Sequence, residues 1–203
     1  MLISKKLFVA FSFLLSVAAQ ALTLSDVQQK LTAHTLLRGE FTQIKTMQMF
    51  NQPLLSQGNF LLDQKQGLLW RQTAPFPVSL VLVKDKLSQQ FGEQAAEVII
   101  AKDNPMVFYF SHLFLSLFKG DMEGLSAQFE MKLSAQGEHW LLLLIPKSAP
   151  LNKVFASISI AGTDFIEQLV LQELSGDVSE ITFSQQRSTP NTLSEEEQDA
   201  LQF

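Results

Sequence analysis

The chain has 203 residues, of which 46% are hydrophobic and none is cysteine, and its formal net charge is −5 at pH 7. The acidic balance argues against nucleic acid as a partner, because phosphate binding needs a basic footprint. The absence of cysteine excludes disulfides, thiolate zinc sites and thiol catalysis, and a chain of this length can bury one core without such cross-links.

The start of the chain has the pattern of a secretory signal peptide. Two lysines precede an apolar run over 7–19, and Ala19 and Ala21 supply the small residues of a cleavage site. This run is shorter than the roughly 20 apolar residues that a membrane span needs. We therefore predict a signal peptide at 1–21 and a single domain at 22–203. Without the two lysines, 13 basic and 20 acidic residues give a net charge of −7.

A helix is predicted at the start of this domain. Residues 25–28 read Ser-Asp-Val-Gln, the spacing of a capping box, so we expect a helix over about 26–36. Val27 and Leu31 should lie on its buried face. Arg38-Gly39 is expected to end it.

Short segments of alternating apolar and polar residues follow, which is typical of antiparallel strands joined by hairpins. The pattern indicates strands that begin at Phe41 and then cover 55–63, 67–72, 78–83, 87–91, 98–101, 127–133, 140–145, 155–161, 166–171 and 180–184. Turn residues predict hairpins at 84–86, 134–138, 162–164 and 175–177. Such a chain favours one strongly curved sheet of about ten strands. The acidic run at 194–199 is interpreted as a solvated tail or helix start.

One segment interrupts the strands. Asn104 is a good N-cap, Pro105 suits the first helical position, and Gly120 suits the position after the helix end. The predicted helix between them, 106–118, is apolar on nearly every side. Such a helix is either buried all round or lies over an apolar cavity.

The sequence carries no recognisable motif for catalysis. His34, His112 and His139 lack the spacing of metal ligands, and no nucleophile elbow, phosphate-binding loop or dinucleotide fingerprint occurs. We therefore predict no catalytic residue, no metal, no cofactor and no enzymatic activity. The seventeen Phe residues could fill a core or line a cavity. Because one sheet and two helices cannot cover every apolar face, we favour a cavity closed by a helix.

Taken in order, the motifs resemble a known family, the periplasmic outer-membrane lipoprotein carrier proteins (LolA-like). The resemblance spans the whole predicted domain and rests on the order and spacing of short motifs at 39–43, 56–62, 69–75, 145–147, 158–160, 169–171, 175–177 and 182–184. It implies a mainly β fold, an incomplete antiparallel β-barrel of about ten to eleven strands, wrapped as a half-pipe and closed by a helical lid. It also implies a periplasmic monomer.

The resemblance further implies that the inner face holds the acyl chains of a lipoprotein, taken from an inner-membrane ABC-type donor and delivered to an outer-membrane acceptor. The expected groove residues are Phe41, Phe60, Leu62, Trp70, Leu80, Leu82, Trp140, Leu142, Leu144, Ile158, Ile160, Leu169, Leu171 and Phe183. The expected lid residues are Phe110, Leu113, Phe114 and Leu117.

One position departs from the family. In the carriers an arginine six residues before the tryptophan bonds the lid when the groove is empty. Here Gln64 matches it, with Lys65 next to it, and either could replace the arginine. Three alternatives stay open: a carrier of another lipid, linked to lipid or polyketide-type biosynthesis, a sensor or scaffold that binds a protein partner through the groove, and a lipid hydrolase.

Overall fold

The computed structural model describes residues 22–83, 86–103 and 105–202. The predicted signal peptide at 1–21, the turn residues 84–85 and the predicted N-cap Asn104 lie outside the described residues. The helices are α1 (Leu24–Thr32), α2 (Pro105–Phe118), α3 (Met122–Gln128) and α4 (Glu195–Ala200). The strands are β1 (Leu36–Thr46), β2 (Leu54–Asp63), β3 (Gly67–Ala74), β4 (Val78–Val83), β5 (Lys86–Phe91), β6 (Glu97–Ile100), β7 (Phe129–Gln136), β8 (His139–Pro146), β9 (Phe155–Gly162), β10 (Ile166–Glu173) and β11 (Val178–Arg187).

All eleven strands form one antiparallel sheet that does not close. Its order is β6-β5-β4-β3-β2-β1-β11-β10-β9-β8-β7, so β6 and β7 are the two edges. The strands pair with their sequence neighbours, and β1 and β11 pair across the middle, where Phe41 lies opposite Phe183. The predicted incomplete β-barrel of ten to eleven strands is confirmed, with eleven strands. The turns expected at 162–164 and 175–177 connect β9 to β10 and β10 to β11.

The first helix differs from the prediction at both ends. Its cap is Thr23, whose hydroxyl accepts from the Asp26 amide at 3.3 Å, while the Thr23 amide donates to the Asp26 carboxylate at 2.8 Å. The capping box predicted at 25–28 is therefore wrong, and the helix ends at Thr32. The predicted helix break at Arg38-Gly39 is also wrong, because both residues lie within β1. The expected burial of Val27 and Leu31 is confirmed.

The middle of the chain holds two helices where the sequence predicts one. The expected helix is α2, and Gly120 follows it with a φ of +62°, as its predicted role requires. The next helix, α3, was not predicted. Its N-cap is Asp121, whose carboxylate accepts from the Gly124 amide at 3.0 Å. Because α3 continues to Gln128, the strand predicted at 127–133 begins later, at Phe129.

The sheet carries its main core on one face, here called the inner face. Side chains that alternate along every strand meet apolar side chains of the first three helices there, such as Leu31, Leu117 and Leu125. Alternation is what a sheet requires when one face is buried, because successive side chains point to opposite faces. The inner face, with α1, α2 and α3 on it, is therefore where any cavity of the half-pipe must lie.

The opposite, outer face is covered over β1–β4 by the end of the chain. Leu201 packs on a second apolar cluster that includes Leu36, Leu61 and Leu69. Arg38 is buried beneath this segment, and its guanidinium bonds the Glu197 carboxylate at 2.6 and 2.7 Å. The acidic run at 194–199 does start a helix, but the prediction that it is merely solvated is wrong for Glu197, which Arg38 holds against the sheet.

Candidate functional site

A cavity of about 490 Å³ lies between the inner face of β3–β5 and helix α2. Seven of its nine lining side chains are apolar, and two are neutral and polar. The lining consists of Leu68, Trp70, Leu80, Leu82, Leu87, Gln89, Ser111, Phe114 and Ile181. A concave, mostly apolar site with few polar groups is the usual form of a small-molecule pocket.

The strand register explains why these side chains meet. Leu68, Leu82 and Leu87 lie opposite one another on β3, β4 and β5, and so form one row across the inner face. Trp70 and Leu80 begin the next row, which ends at Gln89. Since directly opposed residues have Cβ atoms about 5 Å apart, each row is a continuous strip of side chain. The two rows form the floor of the cavity, and α2 covers it.

Stacked aromatic rings form one wall of the cavity. The Trp70 ring stacks on Phe41 with centroids 3.7 Å apart, and it meets Phe114 of α2 edge-on at 6.0 Å. Phe60 and Phe183 continue the cluster behind Trp70, their centroids 5.4 Å apart. Such contacts add about 0.5–1.5 kcal/mol each to the burial of the rings. The wall is therefore a packed unit, and α2 joins it through Phe114 and through Phe118, whose ring lies 5.2 Å from that of Phe183.

The expected groove residues occupy one continuous cluster but do not all face open space. All fourteen belong to the main core or pack against it. Trp70, Leu80 and Leu82 line the cavity. Seven of the eight residues expected on the C-terminal half of the sheet are buried against other side chains, and Leu171 is half-buried. The seven are Trp140, Leu142, Leu144, Ile158, Ile160, Leu169 and Phe183. Of the nine residues that line the cavity, the C-terminal half contributes Ile181 alone, so the cavity lies mainly against the N-terminal half of the sheet.

The expected lid residues also differ in whether they line the cavity. Phe114 lines the cavity, whereas Leu113 and Leu117 are buried in the core. The side chain of Phe110 lies outside the described part of the chain. The helix is therefore packed on more than its cavity side, which a simple cover over a groove would not need.

Five lining residues were missed by the sequence reasoning: Leu68, Leu87, Gln89, Ser111 and Ile181. Four of them lie directly opposite an expected groove residue. Leu68 and Leu87 both face Leu82, Gln89 faces Leu80, and Ile181 faces Leu169. The signal that could have found them is the hairpin register, counted outward from each turn. Ser111 carries no such signal, because it depends on how α2 is rotated.

The position that matches the family's gating arginine has another role in this conformation. The Gln64 side-chain amide donates to the His34 carbonyl at 3.1 Å. The neighbouring Lys65 is exposed, and its backbone amide donates to the Asp63 carboxylate at 2.7 Å. Gln64 thus ties the β2–β3 turn to the segment between α1 and β1.

The site offers no obvious place for a metal. Within 22–83, 86–103 and 105–202, no group of three or more His, Asp or Glu side chains is arranged to hold an ion. The helices in these ranges are also too short or too polar to cross a membrane. The lining of the described cavity offers apolar contact and two neutral hydrogen-bonding side chains, Gln89 and Ser111.

An open half-pipe that encloses an apolar cavity beneath a helix has the architecture of a binding protein. Residues 32–196 match the family model described as outer membrane lipoprotein carrier protein LolA. The chain belongs to this family, whose members are periplasmic carrier or binding proteins rather than enzymes. No curated protein matches the chain.

Solved structures share the fold at low sequence identity. The Pseudomonas aeruginosa MucA/MucB complex matches at 14% identity and a TM-score of 0.50, over 89% of this chain and 60% of that one. A LolA superfamily protein from Nitrosomonas europaea matches at 9% identity and a TM-score of 0.44, over 84% of this chain and 96% of that one. A putative outer membrane lipoprotein-sorting protein domain from Vibrio parahaemolyticus matches at 9% identity and a TM-score of 0.48, over 88% of this chain and 96% of that one. At such identities the likeness concerns the fold alone.

Proposed function

We propose that the protein is a periplasmic, monomeric carrier that shields the acyl chains of a lipoprotein, or of a related lipid, during transfer from the inner to the outer membrane. The observation that carries the proposal is the apolar cavity between β3–β5 and α2, in a member of the lipoprotein carrier family. Residues 1–21 would act as the export signal and 22–203 as the carrier domain. An ABC-type donor and an outer-membrane acceptor would be its partners.

The size of the cavity suits a single chain. A volume of about 490 Å³ lies within the roughly 300–1,000 Å³ that is usual for ligand pockets, which suits one long acyl chain. Each methylene removed from water contributes about 0.8 kcal/mol, which gives a gross gain on the order of 10 kcal/mol for one long chain. A cargo with several acyl chains would require the C-terminal half of the inner face to open as well.

The proposal is tested by mass spectrometry of lipid extracted from protein purified without detergent, together with displacement of a hydrophobic dye by fatty acids. We expect copurified acyl lipid and competition for the dye. Leu82→Trp should reduce dye binding at least tenfold, because the new ring fills the cavity floor. Leu141→Trp is the matched control, since Leu141 is exposed on the outer face of β8.

Each alternative has its own outcome in this experiment. A copurified lipid other than a lipoprotein would point to a carrier for a biosynthetic pathway. Hydrolysed lipid products would indicate an enzyme. An empty protein that binds no dye would overturn the carrier proposal and leave the scaffold that binds a protein through the groove.

A further inference from the structure

Large exposed apolar side chains are concentrated at one end of the half-pipe. Seven such side chains lie in or next to turns at this end, and Met49, the most exposed, has 81% of its surface accessible. We call this set the apolar end: Met49, Phe50, Leu54, Leu55, Phe76, Phe91 and Leu174. Exposed apolar clusters of this kind mark contact sites for proteins or membranes.

The antiparallel topology places these residues together. In such a sheet alternate turns lie at the same end, so the β1–β2, β3–β4 and β5–β6 turns are neighbours. The β10–β11 turn joins them, because Thr46 at the end of β1 lies opposite Val178 at the start of β11. At the other end, the described turns β2–β3, β7–β8 and β9–β10 carry the polar residues Lys65, Glu138 and Asp164.

The two segments that contribute most of the apolar end contain no charged residue. They are 46–62 and 72–83, and they carry five of its seven side chains. Two of the nearby charged side chains already contact other groups of the protein. Lys45 lies 3.6 Å from Glu173, and the Asp177 carboxylate accepts from a backbone amide at 2.9 Å. Glu93, in the β5–β6 turn, is exposed, and the β8–β9 connection at the same end carries the exposed Lys147 and Lys153.

We propose that the apolar end inserts its turn tips into the surface of a lipid bilayer whose headgroups are zwitterionic. The tips belong to four separate turns, and a fluid surface can close around separate tips, whereas a rigid partner needs a continuous complementary face. The uncharged segments match a membrane surface without net charge. The acidic chain, with its net charge of −5, disfavours an anionic surface. This inference does not depend on what fills the cavity.

The test is flotation of the purified protein with phosphatidylcholine vesicles. We expect the wild type to float with the vesicles. Phe50→Glu and Phe76→Glu should each lower the partition coefficient about tenfold or more, because each replaces an inserted apolar side chain by a charge. Leu141→Glu is the matched control: Leu141 is 44% exposed but lies away from the apolar end, so its replacement should change partition less than twofold.

Folding and cargo binding are checked on the same samples. Melting temperatures within a few degrees of the wild type and unchanged dye binding separate a loss of membrane contact from unfolding or loss of the cavity. Failure of the wild type to float would overturn the proposal, as would equal loss in Leu141→Glu. Binding that occurs solely to anionic phosphatidylglycerol vesicles would overturn it too, because the charge argument would then have the wrong sign.

Discussion

Replacing Glu197 by glutamine should make the stability of the protein less dependent on pH. The Arg38 guanidinium beside it lowers the pKa of the Glu197 carboxyl from 4.5 to about 2. Only 22% of the Glu197 side chain is exposed, so solvent screens the pair weakly. At about 1.4 kcal/mol per pKa unit, the ionised carboxylate contributes about 3 kcal/mol to the free energy of unfolding at pH 7.

The sign follows from the lowered pKa. The contribution is fully present above the unfolded-state pKa near 4.5 and is lost as pH falls toward the folded-state pKa near 2. At pH 3 about 1 kcal/mol remains. The gap in unfolding free energy between the wild type and Glu197→Gln should therefore narrow from about 3 kcal/mol at pH 7 to about 1 kcal/mol at pH 3.

Urea unfolding followed by circular dichroism at both pH values measures this gap. Glu196→Gln is the control, since Glu196 is 83% exposed and lies 3.7 Å from Arg71. Its replacement should cost less than about 0.5 kcal/mol at either pH. A gap between wild type and Glu197→Gln that is the same at pH 7 and pH 3 would refute the reasoning, because the carboxylate would then titrate normally in the folded protein.

Three further outcomes are expected. Phe114→Asp should lower dye binding at least tenfold, because it places a charge against the apolar cavity, while the melting temperature should fall by only a few degrees. Unfolding of this variant at room temperature would show that α2 is a fixed core helix and not a lid. Gly58→Ala should lower the free energy of unfolding in urea by at least about 2 kcal/mol, because the new Cβ would lie 1.9 Å from the Arg71 carbonyl oxygen. Gln57→Ala is the control, and a Gly58→Ala variant as stable as the wild type would contradict the geometry. Replacing both Ala19 and Ala21 by bulky residues should leave a larger unprocessed form in fractionated cells; protein of normal mature mass would argue against this cleavage site.

Strand alternation and turn residues were enough to predict most of the sheet. Each pattern depends on neighbours in the chain, and a meander is built almost entirely from such neighbours. Helix starts were harder. Thr23 and Ser25 both stand three residues before a side chain that can cap in return, and the sequence pattern does not decide between them. Helix α3 was missed because its seven residues are too few to show a period.

The cavity could be predicted in kind but not in extent. Alternation identifies which side chains face inward, such as Leu82 and Trp140, but not what lies opposite them. Both side chains are buried, but Leu82 lines the cavity, whereas Trp140 does not and its indole donates to the Thr163 carbonyl at 2.6 Å. For the same reason the sequence did not predict the cover over the outer face, because the burial of Arg38 depends on a segment about 150 residues further along the chain.

The pairing of β1 with β11 has a consequence for how the protein reaches its native state. Among the described strands it is the one contact between sheet neighbours that are distant in sequence, and it joins two ribbons, β1–β6 and β7–β11. Hairpins within each ribbon form on the microsecond scale, while closing a loop of about 130 residues is slow. Until β1 pairs with β11, both ribbons expose apolar inner faces. We therefore expect the pairing of β1 with β11 to limit the folding rate and to determine how long aggregation-prone surfaces stay exposed.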